Sequence, residues 1–190
     1  MPYPQNSKIP QTVVALAGRR PDAPDADKIR FPLVNADTVR QRLQELFERK
    51  AYTTLVSSAA CGVDLLAIGV ALQLGMQTFI VLPFPPKVFR RLSVMDRPGD
   101  WGQPFDEAIK HAERAGTLRI LNYAEDDSQA FLNTNKEMVA LAQSQAQVDA
   151  TPVCTLVWDG QPRGEDDVTQ QFGHLCREAS FPVIEVSTLQ

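Results

Sequence analysis

Six short runs rich in Val, Ile, Leu and Thr punctuate the chain, and apolar residues recur at intervals of three and four between them. A strand followed by a helix, repeated, is the arrangement that produces such a pattern. The runs are Thr12 to Ala17, Thr53 to Ser57, Thr78 to Leu82, Leu118 to Leu121, Val153 to Trp158 and Val183 to Val186. Several are apolar without alternation, as strands buried on both faces of a parallel sheet must be. The first helix is predicted from Asn35 or Asp37, either able to cap it, and buries Val39, Leu43, Leu46 and Phe47. A second starts near Gly62, carries Leu65, Ile68, Gly69 and Leu72 on one face, and closes at Gly75. Further helices are predicted from about Pro104 to Ala115, Ser128 to Gln147 and Asp167 to Ala179. The Pro- and Asp-rich stretch from Pro21 to Pro32 reads as a loop, and Pro85 to Gln103 as a long loop with room for one helical turn.

Parallel neighbours need right-handed helical crossovers. The expected fold class is therefore α/β: a Rossmann-like three-layer sandwich around a mostly parallel sheet of six or seven strands. A length of 190 residues suits one domain over 1–190, with 1–11 as an N-terminal tail. In such sheets ligands bind outside the carboxyl ends of the strands, where the strand order reverses. The residues that follow each strand are thus the candidates.

Gly18, Arg19 and Arg20 follow the first strand. Glycine permits a tight turn or a close approach, and arginine offers a planar fork suited to phosphate or carboxylate; the plainer reading is a turn with two solvated charges. After the second strand, Ser57, Ser58 and the small residues up to Gly62 lead into a helix whose first turn holds Asp64. That turn is narrow enough for backbone N–H groups to face an anion, with Ser57 and Ser58 as hydroxyl donors and Asp64 on a ribose hydroxyl. Alternatively, Asp64 only complements the helix dipole. Pro83 and Phe84 after the third strand form a stiff wall for a base or a lid on the core. Trp158, Asp159, Gly160 and Gly164 follow the fifth strand, with Thr169 beginning the next helix.

Other chemistry is poorly supported. A formal charge of −4 argues against general nucleic-acid binding, which needs clustered Lys and Arg. His111 and His174 fall on helices away from the strand ends, and no metal-ligand spacing occurs. No metal and no cofactor is expected. Cys61, Cys154 and Cys176 are too few and too scattered for a disulfide framework. The N-terminus lacks the pattern of a signal peptide, and no apolar stretch approaches the roughly 20 residues that span a bilayer. A cytoplasmic protein without membrane contact is expected, and a homo-oligomer is compatible with its size.

Together these pieces resemble the SLOG superfamily, the Rossmann-like group that includes the LOG phosphoribohydrolases, the DNA-processing protein DprA and many nucleotide sensors. The likeness runs from about Val13 to Val186 and rests on Gly18-Arg19-Arg20, on Ser58 to Asp64, on ALQLGMQTFIVLPFP and on LVWDGQPRG. It is strongest to an uncharacterised bacterial branch with an Asp-aromatic pair after the third strand, here Asp100-Trp101 or Asp96. The resemblance implies a nucleotide-type ligand contacting Gly18, Arg19, Ser58, Gly62, Asp64 and the loop near Gly160 to Thr169. Relatives often have His or Ser where this chain has Arg19, and an acidic residue where it has Cys61. Their Gly-Gly-Thr turn is replaced by Asp166-Asp167-Val168-Thr169, and the LOG pattern PGGxGT is absent. Two carboxylates in that turn repel an anion unless this half of the site is altered, a cation assists, or the loop is shifted by one residue.

Three functions follow as expectations. The first is a domain that senses or carries a nucleotide or nucleotide-derived ligand, in which Arg19→Ala and Asp64→Ala abolish binding and leave the fold intact. The second is a nucleoside 5'-monophosphate N-glycosidase using Asp64, Asp159 or Glu165. The third is a non-binding scaffold, favoured if Asp166 and Asp167 line an empty pocket.

Overall fold

In a computed structural model describing residues 12–147 and 150–190, six strands form one all-parallel sheet. They are β1 (Val13–Gly18), β2 (Thr54–Ser57), β3 (Gln77–Leu82), β4 (Leu118–Ile120), β5 (Val153–Trp158) and β6 (Val183–Ser187). The tail expected over 1–11 lies outside the described residues. Strand order is β4-β3-β2-β1-β5-β6. The chain steps outward from β1 to β4 and then returns to lay β5 on the other side of β1. Right-handed crossovers in opposite directions put helices on opposite faces. Helices α1 (Ala36–Lys50), α2 (Val63–Gln73) and α4 (Gly102–Ala115) cover one face; α5 (Ala130–Gln145) and α6 (Val168–Glu178) cover the other. This is a Rossmann-like α/β sandwich of three layers.

Strand residues divide between two cores by parity. Val14, Leu16, Leu55, Ile80 and Leu82 pack with Leu43, Phe47 and Ile68, whereas Val13, Ala15, Val56 and Val81 pack with Met138, Phe172 and Cys176. Because both faces are buried, the strands are apolar throughout rather than alternating. Each such side chain contributes about 1.5–3 kcal/mol of burial. All three cysteines are free and buried. No helix among the described residues is long and apolar enough to cross a membrane.

The expected loop from Pro85 to Gln103 is not one. Pro86–Ser93 forms a helix, α3, with proline in its first turn, and α4 starts two residues earlier than expected. Proline suits the first helical turn because its missing N–H has no intrahelical partner there. Phe89 is buried and stacks on Phe105 of α4, with ring centroids 6.1 Å apart. Two turns with one buried aromatic leave too short a periodic signal. Asn35 precedes α1 but does not cap it; its amide Nδ2 donates instead to the Thr188 carbonyl at 2.9 Å.

Candidate functional site

Where the order reverses, between β1 and β5, the loops at the carboxyl edge are tied by ion pairs. Arg19 leaves β1 and turns into the molecule, where it is 3% exposed. Its Nε donates to Asp159 Oδ1 at 2.9 Å, Nη1 to Asp167 Oδ2 at 2.6 Å and Nη2 to the Gln161 carbonyl at 2.5 Å. Its guanidinium also lies 5.4 Å from the centre of the Trp158 ring. Arg30 closes the network, with Nη1 donating to Asp159 Oδ2 and to the Gln161 carbonyl, both at 2.6 Å. The expectation that Arg19 presents a free fork to a ligand is therefore corrected: all three of its nitrogens are engaged within the chain.

Asp167 is the other half of that correction. It caps α6, its Oδ1 accepting from the N–H groups of Thr169 at 2.9 Å and Gln170 at 3.0 Å; its Oδ2 accepts from Arg163 N–H at 2.7 Å. Burial alone would raise its pKa, but the Gln170 N–H, the Arg19 guanidinium and the Arg163 N–H outweigh it and hold the carboxyl below its ordinary value. The Asp167 carboxylate in this turn is neutralised by Arg19. Asp166 is exposed and has no ion-pair partner among the described residues.

Beside this network opens a cavity of about 510 Å³. Its floor and one wall come from Gly18, Arg20, Ser58, Ala60 and Asp64, which follow β1 and β2. Phe84, Phe89, Leu92 and Ser93 enter from the segment after β3. Phe131, Thr134, Asn135 and Met138 overhang from α5, and Arg163 with Asp166 to Thr169 closes the side toward α6. Phe84 and Phe131 meet edge to face at 5.8 Å.

Asp64 is the polar group most set apart by its surroundings. It is 7% exposed, and the hydrogen bond it accepts comes from Ala60 N–H at 3.2 Å. Desolvation dominates over that N–H, the nearby Arg20 and the Gly18 N–H, so its pKa rises from 3.8 to about 7. A carboxyl that changes charge near neutral pH can accept a ligand hydroxyl or hand over a proton. Ser93, 4% exposed, and half-buried Ser58 add hydroxyls to the same wall.

The structure brings Gly18, Arg19, Arg20, Ser58, Asp64, Phe84 and Thr169 to the cavity. The remaining candidates lie outside its lining. Ser57 is wholly buried, and its Oγ donates to the Leu16 carbonyl at 3.0 Å, so it is no ligand donor. Gly62, at φ 89°, lies where a side chain would strike the Arg19 carbonyl. Gly18 likewise has no room for a methyl against Val63. These two glycines let α2 approach the β1 loop; no close ligand approach is needed to explain them. Pro83 is buried behind Phe84, and Trp158 lies under Arg19 with its Nε1 donating to Glu185. Asp159 is spent on Arg19 and Arg30, while Gly160 and Gly164 shape the intervening loop with positive φ. Arg20 pairs with Asp96 at 2.7 Å, and Asp100 faces a separate groove between α2 and α4. His111 and His174 are exposed on their helices.

Sequence reasoning missed the α3 and α5 walls and Arg163. Phe131, Thr134, Asn135 and Met138 stand at intervals of three, one and three, a single helical face. That signal was present, but only the crossover path of α5 shows which face looks over the site. Among the described residues, no group of three or more His, Cys, Asp or Glu side chains is arranged to hold a metal.

No protein-family model matches the chain. No curated protein matches it either. Among solved structures, the chain is similar to the DNA processing protein DprA from Streptococcus pneumoniae, at 16% sequence identity and a TM-score of 0.42. That likeness covers 93% of this chain and 59% of the DprA chain, so this chain spans well under two thirds of its neighbour's length.

Proposed function

We propose that this domain binds a nucleotide or nucleotide-derived small molecule in the cavity at the carboxyl edge of its sheet, as a sensor or carrier. The observation that carries the reading is Asp64: a buried carboxyl, held by backbone N–H groups and by no side-chain partner among the described residues, on a cavity also lined by Phe84, Phe89 and Phe131. A volume of about 510 Å³ lies within the range of sites that enclose small ligands. Phe131, exposed and backed edge-on by the buried Phe84, offers a surface for a flat base, while Asp64, Ser58 and Ser93 offer partners for sugar hydroxyls. Titration calorimetry with the four common nucleoside monophosphates tests this. At least one is expected to bind the full chain, and Asp64→Ala is expected to weaken it roughly tenfold or more. Equal affinity in parent and variant would remove Asp64 from the site, and no binding by any of the four would count against the reading.

The same carboxyl favours a second reading, an N-glycosidic hydrolase in which Asp64 serves as acid or base. Incubation with AMP, GMP and NAD, followed by chromatography for free base, separates the two. Base released in proportion to enzyme, with a pH profile that Asp64→Asn abolishes, supports hydrolysis. Asp166 and Asp167 both line the cavity, as the scaffold reading requires, and Arg19 neutralises Asp167.

A further inference from the structure

Three arginines line the cavity, and they are not equivalent. Arg19 donates from all three nitrogens to Asp159, Asp167 and the Gln161 carbonyl, and Arg20 donates from Nη1 to both oxygens of Asp96 in an exposed ion pair. Arg163 has no hydrogen-bond or ion-pair partner for its guanidinium among the described residues. We propose that Arg163 is the anion-recognition residue of this cavity, taking the phosphate or carboxylate of a ligand whose remainder lies on the Asp64 and Phe84 walls. The proposal rests on the cavity being a ligand site, and it deepens the nucleotide reading by assigning the ligand's charged end.

The loop that carries Arg163 is fixed from both sides. Its own N–H is held by Asp167 Oδ2 at 2.7 Å, and the preceding carbonyls accept from arginines: Gln161 from Arg19 and Arg30, Pro162 from Arg30 at 3.2 Å. The fixed backbone removes the ordering of the loop from the cost of binding, leaving only the rotamers of the Arg163 side chain to be ordered. Its electrostatic setting is dominated by partial burial and by neighbouring arginines. The residue as a whole is exposed, yet partial desolvation and then Arg19, with Arg20 and Arg30 behind it, draw its pKa below the ordinary arginine value. An anion placed there would relieve that repulsion and use the bidentate fork. Asp167 partly offsets the repulsion, but its oxygens are already occupied. The unpaired Asp166 shares the rim; it favours a ligand whose anionic group is accompanied by a hydroxyl or amine donor.

The position usual for phosphate in doubly wound sheets, at the strand-order reversal and the following helix N-terminus, is here filled by the Asp167 carboxylate against Arg19. The anion site has accordingly moved a few residues along the same loop, to the one cavity arginine left unpaired among the described residues.

The test uses the full chain and two kinds of ligand. Thermal midpoints are measured against inorganic phosphate at matched ionic strength, and AMP and adenosine are compared by calorimetry, for the parent, Arg163→Gln and Arg163→Lys. A saturable rise with phosphate is expected in the parent and is lost in Arg163→Gln; Lys keeps part of it. The parent is expected to prefer AMP over adenosine by roughly tenfold or more, and Arg163→Gln to bind both at the adenosine affinity. Circular dichroism of the variant confirms that the exposed substitution leaves the fold unchanged. The proposal is overturned when neither phosphate nor AMP gives a response sensitive to Arg163→Gln. A phosphate response that needs Arg163, without binding of AMP or adenosine, keeps the anion site and removes the nucleotide reading. Equal binding of AMP and adenosine to parent and variant does the reverse.

Discussion

Asp64 and Arg19 are both buried charged residues on the cavity, and their energetics differ. Asp64 gains little from its surroundings: burial lifts its pKa to about 7 from 3.8. Between those values the folded chain keeps a proton that the unfolded chain has released, so stability falls as pH rises through this window and is level above it. Asp64→Asn removes that cost while keeping an acceptor for Ala60 N–H. Urea melts should show the variant more stable than the parent by up to about 4 kcal/mol at about pH 8, with the difference gone near pH 4. A constant difference across that range would mean the carboxyl is not the titrating group. Arg19 is the opposite case, a charge satisfied by two buried carboxylates. Removing one partner of a buried ion pair costs about 3–5 kcal/mol, because the other is left uncompensated. Arg19→Ala is therefore expected to lose fold stability by that amount, not to leave the fold intact and lose only binding. The deficit should shrink below about pH 4, where Asp167, held below its ordinary value in the folded chain, takes up a proton in the unfolded chain. An unaltered melt would show that the network contributes nothing.

Elements meet at the site through positions where no side chain fits. Gly18 ends β1 where a methyl would overlap Val63 in the first turn of α2 and crowd the Val157 carbonyl of β5. Gly18→Ala must push α2 away from the sheet, and overpacking of this kind costs about 1–3 kcal/mol. Val63→Ala in the same chain should recover part of that loss in thermal melts. If it recovers nothing, the clash with the Val157 backbone is the controlling one. The strand-helix alternation could be read from periodicity because β1 to β6 are short apolar runs and α1, α2 and α4 bury residues at regular spacing. The candidate site was only partly legible. Residues that follow strands in the chain, such as Ser58 and Asp64, could be found from position alone. Those that arrive from a helix crossing over the sheet, such as Thr134 and Met138, could not be placed without its path. The partners of Arg19 could not be read, because an arginine after a strand looks the same in sequence whether it meets a ligand or two aspartates some 140 residues away.

At the scale of the whole molecule, the reversal between β1 and β5 divides the sheet into a four-strand side and a two-strand side. Their carboxyl edges are joined there by the Arg19–Asp159–Asp167–Arg30 network. The crevice that the topology leaves open is thus braced by ion pairs, and the cavity is displaced toward β1 to β3, beneath α5. Such a brace ties the loop between Asp159 and Asp167 to the body of the sheet. Arg30 is the member best suited to testing this. It is less buried than Arg19, and without it Asp159 still pairs with Arg19. Arg30→Ala should lower global stability by only about 1–2 kcal/mol, the scale of the hydrogen bonds lost. Hydrogen exchange should accelerate at residues 160–166, where Pro162 loses its arginine donor and Gln161 keeps only Arg19, and remain unchanged in α2 and α5. The same variant should weaken any response to phosphate, since the backbone presenting Arg163 is no longer held. Faster exchange spread evenly over both sides of the sheet would mean that the ion network stabilises the fold as a whole and does not position this loop.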